Sequence, residues 1–251
     1  MKYILFPLFL LLSFNISAQV INAESFRRVT DTSGFSGSTS LDFALKRDVN
    51  DKLSIKNNIH VQYKMNRHLV LLKNEIEFQR IEGDKFENRG IQHLRYNYKL
   101  LPNITWEVFG QGQYNKVSKI DFRGLVGTGP RFKLTQLEDY KFYLGTLLMY
   151  EHEKRDDILN PIKEGIRGSV YFSFSLYPQD YLTVISTTYY QPMLKSITDD
   201  YRVSSQTSLL VHLFKNFSFK TTYTFNYDEI PAEGIPNSQY ELTTGVVYSF
   251  D

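Results

Sequence analysis

The last stretch of the chain, Gln239-Tyr-Glu-Leu-Thr-Thr-Gly-Val-Val-Tyr-Ser-Phe-Asp251, alternates between two kinds of residue. The even positions from Tyr240 to Phe250 are mainly apolar and end in aromatic rings, whereas the odd positions are mostly small or polar. A period of two sustained over such a stretch is the pattern of a β-strand. The apolar face would meet a core in a water-soluble sheet. In a membrane barrel it would meet lipid, and the polar face would line the lumen.

The ending Tyr248-Ser-Phe250 resembles the aromatic-ended last strand by which bacterial outer-membrane barrels are recognised for assembly. Asp251 adds one residue beyond the usual end. The resemblance implies that Tyr248 and Phe250 form an assembly signal, and that the barrel-assembly machinery is a partner during biogenesis.

The chain begins with a pattern typical of a signal peptide. Met1-Lys2 precedes an apolar run from Tyr3 to Phe14, and Asn15-Ile-Ser-Ala18 supplies small residues for cleavage. The run is too short for a spanning helix. We predict a signal peptide over residues 1–18, a periplasmic N-terminal segment over 19–34 and a β-barrel over 35–251. An uncleaved anchor is the alternative for the first segment.

Composition narrows the class of protein. Cysteine is absent, so disulfides and thiolate metal sites are excluded, and we expect no cofactor. Eighteen Tyr and nineteen Phe suit the aromatic girdles of a membrane barrel. The mean hydropathy of −0.33, with no second long apolar run, excludes a helical membrane protein. Removing residues 1–18 takes only Lys2 from the 29 basic side chains, which leaves 28 against 27 acidic ones and no case for nucleic acid.

Twelve alternating segments can be counted from Phe35 onward. They are residues 35–45, 53–65, 70–80, 88–100, 104–114, 122–134, 142–151, 166–176, 181–190, 203–213, 217–227 and 239–251. The sixth is glycine-rich and the seventh is apolar on both faces, so ten strands remain an alternative.

The connections support a membrane barrel. The joints after even-numbered segments are short and carry turn residues, as periplasmic turns do, whereas most joints after odd-numbered segments are longer and charged. The longest insertions are His152 to Gly165, Gln191 to Tyr201 and Asp228 to Ser238. We therefore predict an all-β, antiparallel transmembrane β-barrel of about twelve strands. It would be a monomer among the lipids of a Gram-negative outer membrane. A soluble barrel or sandwich is the alternative.

Two short motifs resemble a known family. Phe35-Ser-Gly-Ser-Thr-Ser-Leu-Asp42 and Arg123-Gly-Leu-Val-Gly-Thr-Gly-Pro-Arg131 are similar to stretches of small bacterial outer-membrane proteins named for induction by salt. That family has no assigned biochemical activity. The resemblance thus implies the fold and the location but no reaction.

The sequence holds no recognisable catalytic set, and we predict that the protein is not an enzyme. Of the five histidines, only His152, between Glu151 and Glu153, lies near the expected outer rim. This triplet could bind a cation or orient a base, but a solvated loop is the more common explanation. A rim-located lipid-modifying enzyme is a remote alternative.

Charged and polar side chains on the inward faces are more informative. The candidates for lining the lumen are Lys56, His60, Lys73, Glu75, Glu77, Arg89, His93, Arg95, Glu107, Arg123, Arg131, Arg167, Lys220 and Glu241, and Lys64 shares their parity. One hypothesis is a narrow, porin-like diffusion channel, with a slight basic excess that favours small anions. The other is a closed barrel, plugged by Arg–Glu pairs, that serves envelope maintenance or surface interaction. The segment 152–165 is the best candidate for a loop that folds inward.

Overall fold

The computed structural model of the protein describes residues 33–47, 51–81, 85–135, 137, 139–158 and 161–250. The predicted signal peptide and nearly all of the predicted periplasmic segment lie outside the described residues. None of the residues described belongs to a helix, and no helix long and apolar enough to cross a membrane occurs among them.

Twelve antiparallel strands close into one barrel, in which each strand pairs with its sequence neighbours and β1 pairs with β12. The strands are β1 (Gly34–Arg47), β2 (Asp51–Met65), β3 (His68–Ile81), β4 (Lys85–Leu101), β5 (Ile104–Asn115), β6 (Ile120–Lys133), β7 (Tyr140–Arg155), β8 (Ile162–Gln179), β9 (Leu182–Pro192), β10 (Tyr201–His212), β11 (Phe217–Asp228) and β12 (Ser238–Phe250). The predicted fold class is confirmed. The ten-strand alternative is wrong, since the sixth and seventh segments are separate strands.

The sequence does not show which face of the seventh segment points into the barrel, and the structure explains why. In β7 the side chains of Tyr143, Leu147 and Met149 are buried inside the barrel, while Leu148 and Tyr150 are exposed on its outside. Both faces of this strand are therefore apolar, although only one faces outward. A period-two pattern cannot assign the facing of such a strand.

The outside of the barrel is apolar and the inside is polar, the reverse of a soluble barrel. Outward side chains such as Val126 and Leu242 are more than 60% exposed. Exposed aromatic rings stand near both barrel ends. We name the end where β1 begins and β12 ends the terminal end, and the opposite end the loop end. Trp106 and Phe217 lie near the terminal end, and Phe122 and Tyr240 near the loop end.

The joints at the loop end are shorter than predicted. The insertion expected from Glu82 to Glu87 shrinks to residues 82–84, and the one from His152 to Gly165 shrinks to 156–161. Strand β7 runs further because Glu153 and Arg155 continue its alternation toward the polar interior. Charged residues are therefore a poor indicator of a loop when the inner face of the neighbouring strand is also charged.

The seam between β1 and β12 depends on a glycine. Gly245 pairs with Asp42, and a Cβ atom at Gly245 would meet the Leu41 carbonyl oxygen and lie 2.6 Å from the Asp42 Cα. On the outside of the same seam, the Phe250 ring covers Gly37, its cross-strand partner. Tyr248 and Phe250 both face outward, and their role as an assembly signal stays a prediction.

We expect Gly245→Ala to weaken the barrel by about 1–3 kcal/mol, because the added methyl group overpacks the seam. Gly110 is a matched control, since it also lies in a strand but has open space around its Cβ position. Urea unfolding of the refolded barrel, followed by the fluorescence of the single Trp106, measures both changes. Equal unfolding midpoints for the two variants would contradict this account of the seam.

Candidate functional site: the barrel interior

All fourteen side chains predicted to line the lumen lie on inward-facing positions of their strands. Twelve of them are buried, and Arg89 and Glu241 are partly exposed. The interior charges gather in three groups, which we name the seam cluster, the Glu107 cluster and the loop-end cluster.

The seam cluster joins β2, β3, β4 and β12. The Lys56 ammonium lies 2.9 Å from a Glu241 carboxylate oxygen and 3.2 Å from one of Glu77. Arg89 donates from Nε to Glu77 and from Nη2 to Glu241, each at 2.6 Å. Lys73 pairs with Glu75 at 3.5 Å. The cluster therefore links strands on both sides of β1.

A separate ion pair, between Lys220 and Asp42, crosses the inner face of β12 beside this cluster. Lys220 of β11 donates to Asp42 of β1 at 2.8 Å and to the Ser40 hydroxyl at 3.0 Å. Gly245 is the β12 residue in register with both Lys220 and Asp42. Because Gly245 has no side chain, the side chains of Lys220 and Asp42 can meet across β12 without obstruction.

The Glu107 cluster lies on β4, β5, β6 and β8. Glu107 accepts hydrogen bonds from the Tyr171 hydroxyl at 2.8 Å and has Arg131 Nη1 at 2.7 Å and Arg95 Nη1 at 3.5 Å. A Cβ atom at Gly145 would overlap the Tyr171 ring. Tyr171 of β8 therefore reaches across β7 and β6 to β5, and β7 has a glycine where the ring crosses it.

The loop-end cluster is centred on two carboxylates of β7, Glu151 and Glu153, neither of which is exposed at all. Arg202 bonds to both of them and donates from Nε to Asp228 at 2.7 Å. Arg123 donates to Glu153 from the neighbouring strand β6. Arg167 Nε lies 3.3 Å from a Glu151 oxygen, so each of the two carboxylates has more than one guanidinium partner.

Arg167 extends this cluster to the joint between β9 and β10. Its Nη2 donates to Asp200 at 3.0 Å, and Lys163 Nζ lies 2.9 Å from the other Asp200 oxygen. Burial acts to raise the pKa of the Asp200 carboxyl, but Arg167 and Lys163 outweigh burial and hold that pKa below its ordinary value. The joint 193–200 is therefore attached to the interior by charge.

The joint between β11 and β12, residues 229–237, crosses the mouth at the loop end, and we name it the lid. Lys119, in the joint between β5 and β6, donates to the Glu233 carbonyl oxygen at 2.8 Å. Arg155 of β7 donates to the Ile230 carbonyl oxygen at 2.9 Å, and Asp157 accepts from the Glu233 amide at 3.1 Å. The sequence pointed instead to the segment 152–165 as the one folding inward. That expectation is wrong, since most of the segment lies in β7 and β8.

The structure separates the Glu151-His152-Glu153 triplet. The two carboxylates face the interior, whereas His152 is on the outer side, where its Nδ1 is 3.2 Å from a Glu164 oxygen. Among the residues described, no group of three or more His, Asp or Glu side chains is arranged to hold a metal ion. His60 and His93 are buried inside, and His93 bonds to Gln111 at 2.9 Å.

Sequence reasoning missed part of the interior. The buried charges not predicted are Asp42, Glu151, Glu153, Arg155, Asp200, Arg202 and Asp228. Glu153, Arg155, Arg202 and Asp228 were missed because the predicted segments stopped too early, whereas Asp200 lies in a joint of the structure as well. The alternation from Met149 through Glu151 and Glu153 to Arg155 was a signal that could have extended β7.

Small hydroxyl residues such as Ser173, Thr187, Ser208 and Thr222 are buried on the inner faces of β8 to β11. A cavity of about 40 Å³ lies between the Glu107 cluster and the loop-end cluster. It has room for about three water molecules.

We expect Lys220→Met to destabilise the barrel by about 3–5 kcal/mol, because it leaves the Asp42 carboxylate buried without its cation. Lys116→Met is the control, since Lys116 pairs with Asp121 on the exposed surface and should change little. Urea unfolding compares the two variants. A Lys220→Met variant as stable as wild type would contradict the importance of this pair.

We also expect the contribution of the Asp200 carboxylate to the free energy of unfolding to depend on pH. Its folded pKa is lowered, so its stabilisation is complete above the ordinary Asp pKa of about 3.9 and is lost as pH falls toward the lower folded value. Asp200→Asn should therefore unfold at less urea than wild type at pH 7, and the difference should narrow at acid pH. A difference that stays constant from neutral to acid pH would rule out this charge effect.

Known structures share the fold. The NanC porin aligns with a TM-score of 0.54 and 11% identity over 86% of this chain and 100% of that one. An outer membrane channel from Pseudomonas putida F1 aligns with a TM-score of 0.54 and 10% identity over 92% of this chain and 100% of that one. The translocator domain of the autotransporter NalP from Neisseria meningitidis aligns with a TM-score of 0.53 and 10% identity over 87% of this chain and 89% of that one. Identities this low show a common outer-membrane barrel fold alone.

No curated protein sequence matches the chain. The model of one family, described as protein of unknown function DUF481, matches residues 50–250. Because that match spans most of its length, the chain belongs to the DUF481 family.

Proposed function

We propose that the protein is a closed outer-membrane barrel that offers solutes no open path and acts in envelope maintenance or surface interaction. The observation that carries this proposal is the burial of the interior charges. Glu77, Glu153 and Arg167 have no exposed surface. In a water-filled porin lumen, charged linings remain hydrated.

The energetics support a closed state that persists. A buried charge that loses its partner is left uncompensated, which costs several kcal/mol. Because Arg202 bonds to Glu151, Glu153 and Asp228, moving this one side chain would disturb three carboxylates. The lid adds contacts at the loop end through Lys119 and Arg155.

A narrow channel for small anions is the second candidate. It is favoured by the cavity, whose wall includes Arg95, Arg123 and Arg202. In this alternative, the lid and the loop-end cluster would have to move before any solute could pass.

The location belongs to the proposal. The apolar outer surface and the aromatic rings near both ends support residence in outer-membrane lipid as a monomer. Export by the signal peptide of residues 1–18 and assembly through Tyr248 and Phe250 remain predictions.

The proposed function is not catalytic. His152 is paired with Glu164 on the exposed rim, and the Glu164 carboxylate also accepts from the Tyr150 hydroxyl at 3.2 Å. We expect His152→Ala to leave lipid turnover by the refolded protein at the level of wild type. Lipid turnover that disappears in this variant would favour the remote alternative of a rim-located enzyme.

Conductance in a planar bilayer tests the closed lumen. The mature protein is refolded, its folding is checked by the shift in gel mobility on heating, and wild type is expected to give no conductance steps. An opened variant is the positive control. It replaces Arg123, Glu151, Glu153 and Arg202 with serine, which removes two charges of each sign, and it also shortens the lid.

We expect the opened variant to conduct, because serine leaves a wide polar passage like the hydroxyl wall of β8 to β11. Discrete steps from wild type would refute the closed barrel and favour the anion channel. A silent opened variant that folds would mean that these four side chains and the lid do not seal the lumen.

A further inference from the structure

The inner rim of the terminal end carries basic side chains. Lys99 of β4, Lys133 of β6 and Lys141 of β7 take inward positions at the ends of their strands, and we name these three residues the lysine arc. Lys64 of β2 and His212 of β10 lie at the same level. The inward residue nearest the terminal end is not acidic on any of the twelve described strands.

The lysine arc lies above a buried floor. Each of its lysines is at least partly exposed, whereas the next inward residue of the same strand, Asn97, Arg131 or Tyr143, is buried. Glu107, one layer deeper on β5, is also buried, and it is bonded to Arg131 and to the Tyr171 hydroxyl. The terminal end therefore forms a shallow cup with a basic rim.

The lysines of the arc are available to an external partner. Lys99 and Lys133 form no ion pair with any residue that the structure describes, and the Lys141 ammonium lies 5.3 Å from the centre of the Tyr177 ring. An anionic partner can therefore approach these three side chains without breaking an existing ion pair.

The joints at this end do not cancel the charge of the rim. Among their described residues, two acidic side chains, Asp139 and Asp180, are matched by two basic ones, Arg67 and Lys215. The basic character of the mouth therefore comes from the strand ends.

The spacing and the exposure of the arc decide which kind of anion it suits. Neighbouring strands are about 4.8 Å apart, so the three steps from β4 to β7 spread the arc over roughly 14 Å of the wall. An exposed ion pair contributes little by itself, because water and salt screen it. A single small anion would therefore bind weakly, whereas a chain with several carboxylates can engage the lysines together and add their contributions.

Two further features favour a peptide chain as the partner. The inward positions turn the lysines away from the lipid headgroups that surround the barrel. On the opposite side of the mouth, Ser38 and Ser249 pair across the seam of β1 and β12 and keep part of their surface exposed. Their hydroxyl groups can both donate and accept hydrogen bonds, as the amide groups of a peptide require.

We propose that the mouth at the terminal end docks an acidic peptide segment of another envelope protein. The short joints lie at this end, and short turns face the periplasm in outer-membrane barrels, so the partner is a periplasmic one. This inference names a partner for the interaction role proposed above and rests on that role. It does not rest on the closed lumen, because the arc lies at the mouth.

Fluorescence anisotropy with a fluorescein-labelled octaglutamate peptide tests the proposal. The mature barrel is refolded in an uncharged detergent at low salt, and its folding is checked by the shift in gel mobility on heating. We expect saturable binding by wild type that weakens as sodium chloride is added, because the added ions screen the contacts.

A mouth variant and a matched control separate the arc from the overall charge of the barrel. The mouth variant carries Lys99→Gln, Lys133→Gln and Lys141→Gln. The control replaces as many exposed lysines of the loop end with glutamine, namely Lys116, Lys154 and Lys195. Both variants therefore lose the same positive charge, but at opposite ends.

We expect the mouth variant to bind octaglutamate at least tenfold more weakly than wild type, and the control to bind like wild type. Absence of saturable binding by wild type overturns the proposal, and so does equal affinity of the folded mouth variant. An equal loss of affinity in the control would show attraction to net charge alone and would also overturn it.

Two further measurements keep the alternatives apart. Sodium acetate that displaces octaglutamate better than sodium chloride of the same ionic strength would show a site for single small anions and contradict the peptide. Conductance steps from wild type in the bilayer would refute the closed lumen and leave this docking site standing.

Discussion

The structure depends on the mutual neutralisation of charges that the barrel wall encloses. A charged side chain removed from water is costly unless opposite charges and hydrogen bonds replace the solvent. Here Glu77, Glu107, Glu151 and Glu153 are buried, and each has at least one basic partner. Removing one member would leave its partners uncompensated, so the interior holds together as a set rather than as independent pairs.

Small residues make this arrangement possible. Long side chains can meet across the interior only where the strands between them have little bulk. Gly245 leaves room for the pair of Lys220 and Asp42, and Gly145 leaves room for Tyr171 to reach Glu107. The position of glycine on an inward face therefore decides which charges meet.

The sequence predicted much of the fold and part of the site. Alternation placed the strands, because lipid and lumen impose opposite preferences on successive residues. It failed to assign the facing of β7, where Leu147 and Met149 make the inner side apolar too. The partners of the interior charges could not be predicted, because Arg202 and Glu151 are far apart in sequence and meet only through the curvature of the barrel. The lid was missed because its hydrogen bonds use the backbone oxygens of Ile230 and Glu233, and side-chain patterns do not reveal these.

The most direct test of a sealed interior uses the absence of cysteine from the chain. Thr187 lies on an inward face of β9 with no exposed surface, whereas Lys215 lies in an exposed turn at the terminal end. A Thr187→Cys variant in folded barrels would be treated with a small charged thiol reagent, with Lys215→Cys as the control. The account predicts that only Lys215→Cys reacts until the barrel is unfolded. Rapid modification of folded Thr187→Cys would show a water-filled lumen and contradict the account.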